Sequence, residues 1–158
     1  MNCNFQLVRN WLIGAASLLG VAITFAGLAI AALVLVWTWW AAPVFIGVSA
    51  AAIFAASLMV NQARTSAFQY YACVINDEPS PRSPCWGAWA NFRNSAIALS
   101  TTLGILAATA GMLAGSFMGW WSAPDTSVLL GGIITNAILI PTLLVFLRSL
   151  VNCLENQG

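Results

Sequence analysis

The sequence predicts an all-α fold, in which four transmembrane helices form a bundle of two antiparallel hairpins. Charged residues make up 6% of the chain and hydrophobic residues 61%, whereas a soluble domain carries about 25% charged residues. About 20 apolar residues span a bilayer, so four spans and their connections occupy nearly all of the 158 residues. The composition therefore predicts one integral membrane domain and no separate soluble catalytic domain.

The first hairpin contains the first two predicted spans. An apolar run without charged residues extends from about residue 11 to 40. The apolar core of a signal peptide is only about 7–15 residues long, so we interpret this run as a retained helix. The second span covers about 43–64, and its Pro43 suits the first turn of a helix. Apolar residues at helical spacing beyond it predict an amphipathic extension to about residue 75.

The second hairpin follows a central loop at about 76–93. Three prolines exclude a helix at the start of this loop. After them, Trp86, Trp89 and Phe92 fall at helical spacing, which predicts a short segment at the headgroup level. The third span covers about 94–121 and the fourth about 128–148, with Asp125 or Thr126 as the N-cap of the fourth. We expect the polar tail after the fourth span to be frayed.

The arginines predict the orientation. With four spans, both termini and the central loop share one side, and all five arginines lie there. The positive-inside rule places that side in the cytoplasm, and we expect the membrane to be a bacterial inner membrane. The opposite side carries a tryptophan belt. The predicted membrane-interface anchors are Arg9, Arg64, Arg93, Arg148, Trp39, Trp40, Trp120 and Trp121.

A five-residue motif occurs twice. Trp-Trp-Ala-Ala-Pro begins at Trp39, and Trp-Trp-Ser-Ala-Pro begins at Trp120, each at the tip of a predicted hairpin. This repetition predicts two parallel repeats related by an axis along the membrane normal. The alternative is that any membrane hairpin acquires belt tryptophans and an early proline.

Small residues at spacing four predict close helix contacts. In the third span Gly111, Gly115 and Gly119 form such a series, and Gly104 precedes them by one heptad. In the second span the corresponding series is Gly47, Ala51 and Ala55. Such faces allow two helix backbones to approach. They predict packing within one bundle, or a seam with another protein, with copies of this chain or around a pore.

Asn136 is the most polar side chain near the middle of any span. Thr135 lies beside it and Pro141 follows, where the missing N–H predicts a kink. An unpaired amide in hydrocarbon costs several kcal/mol (about 2–7), so Asn136 is expected to face protein or water. Its partner is either another helix, in an interhelical hydrogen bond, or a permeating solute, and the kink alternatively serves as a hinge.

Missing residue types exclude several chemistries. The chain has no histidine and no lysine, which excludes a histidine base, histidine-ligated haem, and Schiff-base cofactors. Cys3, Cys73, Cys85 and Cys153 all fall on the arginine side, where a cytoplasmic location predicts reduced thiols. They lack the CxxC spacing typical of metal or iron–sulfur sites. We therefore predict no cofactor, no metal and no catalytic residue.

Three classes of function remain. The first is a non-catalytic subunit that scaffolds or binds another membrane protein through small-residue helix faces. The second is a homo-oligomeric channel, holin-like pore or passive permease, for which Ser100, Thr101, Thr102, Thr109 and Asn136 are the candidate lumen residues. The third is a cysteine-based redox or metal subunit. No charge lies at membrane depth, which argues against ion-coupled transport. The predicted partners are the lipid bilayer and another membrane protein or copies of this chain, without nucleic acid.

Overall fold

A computed structural model describes residues 3–35, 40–120 and 122–157, and in these ranges the only regular secondary structure is helical. The four helices are α1 (Gln6–Val34), α2 (Ala41–Ile75), α3 (Trp86–Phe117) and α4 (Thr126–Gln157). All four are long and apolar enough to cross a membrane. The predicted fold, a four-helix membrane protein made of two antiparallel hairpins, is confirmed.

The helices pack in chain order. Helix α1 packs on α2, α2 on α3, and α3 on α4, whereas the described residues of α1 and α4 share few direct contacts. The bundle is therefore open between its first and last helices. Each outer helix buries only a narrow strip against its neighbour. In α1 that strip consists of Val8, Ala15, Ala22 and Ala29 at heptad spacing, and the short alanine side chains bring the two helices close together.

The end of the bundle that holds the termini and the central loop, called here the loop end, differs from the prediction. Helix α3 begins at Trp86, so the aromatic stripe is its first turns and not a separate interfacial segment. Trp89 is 3% exposed and Phe92 is fully buried. The Trp89 ring contacts the rings of Phe68 and Tyr71 of α2 and that of Phe92. The stripe faces protein because the helices continue past the membrane boundary and pack against one another there.

The C-terminal segment also differs from the prediction of a frayed tail. Helix α4 continues through it to Gln157. Leu150 and Leu154 are each 1% exposed and belong to the same core as Tyr71 and Phe92. This segment is helical because its leucines, four residues apart, lie on one face and find a core to pack on.

The expectation of four reduced thiols is not what the structure shows. Cys3 is bonded to Cys73 and Cys85 to Cys153, so none of the four is free. Each bond joins the start of one helix to the end of the next and closes the open end of one hairpin. Motif spacing along the chain does not reveal this pairing, because an antiparallel hairpin brings its two ends together whatever their separation in the sequence.

The disulfides give both hairpins the same construction. Their cysteines are 70 and 68 residues apart, and each bond lies opposite one copy of the tryptophan–proline motif. Of the two motif copies, Trp40 to Pro43 and Trp120 with Ser122 to Pro124 are described, while Trp39 and Trp121 lie outside the described residues. The two hairpins thus share a motif at one end and a cysteine pair at the other.

Candidate membrane-embedded interaction surfaces

Polar side chains within the membrane connect neighbouring helices. Between α1 and α2, the Ser49 hydroxyl donates to the Ala22 carbonyl over 2.8 Å. Between α2 and α3, the Ser57 hydroxyl donates to the Ser100 carbonyl over 2.7 Å, and the Ser100 hydroxyl donates to the Ser57 carbonyl over 3.2 Å. A hydroxyl in hydrocarbon has no water to bind, so these partners satisfy it within the protein.

The predicted polar residue of α4 makes the contact between the last two helices. Asn136 is 4% exposed. Its Oδ1 accepts a hydrogen bond from the Thr102 hydroxyl over 2.6 Å, and its Nδ2 donates to the Gly132 carbonyl over 2.8 Å. Thr135 instead faces outward and bonds its own helix at Gly131. Helix α4 is continuous across Pro141. Asn136 is therefore an interhelical contact whose hydrogen-bonding groups already have protein partners.

The candidate lumen residues are not aligned along a path. Ser100 and Thr102 are engaged at two different helix seams, as described above. Thr109 is buried and bonds the Ile105 carbonyl of its own helix, while Thr101 is exposed on the outside of α3. Of these four residues, Ser100 and Thr102 connect helices, and the described part of one chain places the four in no common polar channel.

The glycines of α3 differ in what surrounds them. Gly119 lies past the end of α3 with a φ of +78°, a conformation that favours glycine. The N–H of Gly119 donates to the Ser116 carbonyl and that of Trp120 to the Gly115 carbonyl, which is the Schellman arrangement that ends a helix. A Cβ added at Gly104 lies 3.9 Å from the Ser57 hydroxyl oxygen of α2, whereas a Cβ added at Gly111 meets no atom within 4 Å.

The small-residue series of α2 faces away from the core. Ala51 is exposed, and Gly47 and Ala55 are half-buried. A Cβ added at Gly47 meets nothing within 4 Å. The series is therefore not used for packing within the described part of the chain, and it leaves a shallow strip on the membrane-facing side of α2.

A second small-residue face, missed in the sequence analysis, lies on α1. It is called here the α1 small face, and all of its members are exposed. Its members are Ala16, Gly20, Thr24, Gly27 and Ala31. An added Cβ at Gly20 or at Gly27 meets nothing within 4 Å. The signal was present in the sequence as small residues at spacings of four, four, three and four.

The predicted interface anchors lie at two levels. At the tip end, Trp40 and Trp120 are exposed by 64% and 68%. Toward the loop end, Arg9 and Arg148 are exposed. Arg93 lies over the Trp86 ring with its Cζ 5.7 Å from the centroid, and one Arg64 Nη donates to Asn61 over 2.7 Å. Each of these four arginines lies within a helix that continues toward the loop end, so the disulfides lie farther from the membrane centre than these arginines.

Comparisons with protein-family models, with curated proteins and with solved structures find no match for this chain. The functional argument therefore depends on the surfaces described above.

Proposed function

We propose that this integral membrane protein is a non-catalytic subunit that binds another membrane protein through small-residue helix faces. The observation that carries the proposal is the α1 small face. It presents Gly20 and Gly27 outward, with open space over each. A helix that faces only lipid gains nothing from such a groove, whereas a partner helix approaches closely over it and gains van der Waals contact.

The neighbouring exposed surface supports this distinction. Elsewhere the outer helices expose large aliphatic side chains, such as Ile23 at 73%, Ile138 at 62% and Val145 at 61%. Bulky aliphatic groups are ordinary at lipid-facing positions. The α1 small face interrupts that pattern along the middle of the span, and the Gly47, Ala51 and Ala55 series of α2 is a second exposed face of the same kind.

A non-catalytic role fits the chemistry of the described residues. The four sulfurs are bonded in pairs. The Tyr71 hydroxyl donates to the Pro84 carbonyl, and the intramembrane polar groups described above are paired either between helices, as Ser57 and Asn136 are, or within their own helix, as Thr109 is. No group of three or more histidine, cysteine, aspartate or glutamate side chains comes together among the described residues. We therefore propose a binding protein and not an enzyme.

We also propose the orientation that the arginines predict, with both termini and the central loop in the cytoplasm of a bacterial inner membrane. All five arginines lie toward this end and none at the tips. The cytoplasm keeps thiols reduced, so this orientation predicts that the two cysteine pairs are reduced in the growing cell, and that the disulfides of the structure form only under oxidising conditions.

The test is gentle extraction of the protein from its own membrane, followed by measurement of the mass of the native particle. We expect a second membrane polypeptide in fixed ratio. Replacing Gly20 and Gly27 together by leucine should remove that polypeptide, because the added side chains separate the helix backbones. The matched control is Val21→Leu, which enlarges an exposed position of α1 outside the small face and should retain the partner.

A discrete homo-oligomer of this chain alone would contradict the subunit proposal and favour the alternative of a channel, holin-like pore or permease. In that case the first candidate seam between copies lies on α3 at Gly111, where an added Cβ meets nothing within 4 Å, whereas Gly115 is buried within the chain. Retention of the second polypeptide by the double leucine variant would exclude the α1 small face as its binding site.

A cysteine-based redox subunit is a second candidate, favoured by one observation, the two disulfides at the loop end. All four cysteines are half-buried, and each bond closes a hairpin, which suits a structural bond. Replacing all four by serine discriminates between the candidates: a redox subunit loses its function, whereas a binding subunit retains its partner.

A further inference from the structure

The gap between α1 and α4 is a cavity of about 490 Å³. It is called here the α1–α4 groove. Its walls include Ala26 and Ile30 of α1 and Ile133 and Ala137 of α4, and α3 closes its floor at Leu106. On α1 it extends from Leu19 to Leu33, a distance of about 21 Å along the helix. The groove thus lies within the membrane-spanning region and toward the tip end.

The groove offers almost no polar group to a ligand. Among the described residues that line it, Ser49 and Asn136 are the only polar ones. The Ser49 hydroxyl already donates to the Ala22 carbonyl. The Asn136 oxygen accepts from Thr102, and its amide donates to Gly132. A ligand gains no hydrogen bond from groups that are already paired, so the groove selects hydrocarbon.

The volume of the groove decides between two apolar occupants. A spanning helix is about 10 Å across and 30 Å long, which is wider and longer than the groove, so a helix would lie over the opening and leave the floor unfilled. Pockets of about 300–1,000 Å³ hold single small molecules. An acyl chain that enters from one leaflet extends through about half of the roughly 30 Å hydrocarbon core, which is most of the length of the groove along α1. These dimensions fit one flexible chain and not a partner helix.

An empty groove of this size is unfavourable. Apolar lining atoms without a neighbour lose their dispersion contacts. Water is not available at this depth to fill it, whereas acyl chains are the surrounding solvent. We propose that the α1–α4 groove is a binding site for one acyl chain of a membrane phospholipid, whose headgroup lies at the tip end.

The experiment uses the full chain in nanodiscs of phosphatidylcholine that contain a phospholipid with a photoactivatable diazirine on one acyl chain. After illumination, the crosslinked residues are mapped by mass spectrometry. We expect crosslinks concentrated on the α1 and α4 walls of the groove. Ala26→Phe and Ala137→Phe fill the groove from opposite sides, and both positions are exposed, so the variants should fold. Each should lower groove crosslinking about tenfold, equivalent to ~1.4 kcal/mol of binding free energy.

The matched control is Ala108→Phe, which adds the same ring at an exposed position of α3 outside the groove and should leave crosslinking unchanged. Thermal stability of all three variants is measured in parallel to establish that they are folded. Crosslinks spread evenly over every lipid-facing helix surface, and insensitive to Ala26→Phe and Ala137→Phe, would overturn the proposal. Crosslinking or copurification that places a second copy or another protein over the groove would also overturn it. The subunit proposal is tested separately, through Gly20 and Gly27, neither of which lines the groove.

Discussion

At the residue scale, the hydrogen bond between Asn136 and Thr102 is asymmetric. The Thr102 hydroxyl also lies 2.9 Å from the Ala98 carbonyl and 3.1 Å from the Leu99 carbonyl of its own helix. It therefore keeps a partner when Asn136 is removed. The Asn136 oxygen accepts from Thr102, and removal of that hydroxyl leaves the oxygen unpaired in a buried site. An unpaired buried group costs more than a lost hydrogen bond.

We therefore predict that Thr102→Val lowers the free energy of unfolding more than Asn136→Leu does. The interaction energy from the double-mutant cycle should be about 0.6 kcal/mol and no more than about 1.7 kcal/mol, the average and the maximum found for interhelical hydrogen bonds in a membrane protein. Reversible unfolding in detergent measures all four forms of the cycle. Thr135→Val serves as the control, since that hydroxyl bonds only within its own helix, and an equal loss from Thr135→Val would contradict the interhelical role.

At the element scale, the two disulfides act within hairpins. The bond between Cys3 and Cys73 joins α1 to α2, and the bond between Cys85 and Cys153 joins α3 to α4. Neither joins the first hairpin to the second. On the chain-entropy account, a bond that closes a loop of this length contributes about 4 kcal/mol by restricting the unfolded chain. The hairpins themselves are held together by packing, with the reciprocal Ser57 and Ser100 contact between α2 and α3.

This connectivity predicts two different cleavage patterns in the oxidised protein. A protease site inserted in the α3–α4 turn, at Ser122 to Asp125, should give fragments that stay joined in a denaturing gel until a reductant is added. The same site inserted in the central loop, at Pro79 to Arg82, should give two separate fragments without reductant. Separation in the first case, or retention in the second, would show that the cysteines pair differently.

At the scale of the whole molecule, two features of the loop end favour opposite orientations. The arginines favour the cytoplasm through the positive-inside rule. Disulfides persist in oxidising compartments and are rare in the cytoplasm. Both features lie at the same end of every helix, so a single topology measurement separates them. The tip end, which carries Asp125 and the exposed Trp40 and Trp120, must lie on the other side.

We predict that a membrane-permeant maleimide labels the cysteines in intact cells without reductant, and that an impermeant maleimide does not. The expected labelling follows from thiols that are both cytoplasmic and reduced. Ser122→Cys in a chain whose four native cysteines are serine places a probe at the tip end, where the impermeant reagent should react. If the native cysteines instead react only after an impermeant reductant, and then with the impermeant maleimide, the loop end lies outside and the arginine-based orientation is wrong.

The sequence by itself determined the fold class and the pairing of spans into hairpins. Four long apolar runs joined by short connections predict four helices paired into hairpins, because backbone groups in hydrocarbon must form their hydrogen bonds within each segment. Local sequence also identified Asp125 as a candidate N-cap of α4, and its carboxylate accepts a hydrogen bond from the Ser127 N–H. The position of Asn136 identified a polar contact for the same reason, that an amide at that depth needs a partner.

Only the tertiary structure decided what each surface faces. Trp89 and Phe92 have the pattern of interface residues, yet they lie in a core because α2 and α4 extend far enough to cover them. The cysteines have no motif spacing, yet they pair because hairpin geometry brings the two ends together. Gly119 continues a glycine series in the sequence, yet it ends α3. In each case the environment of the residue depends on which other parts of the chain lie nearby in space. The spacing of residues along the sequence does not carry that information.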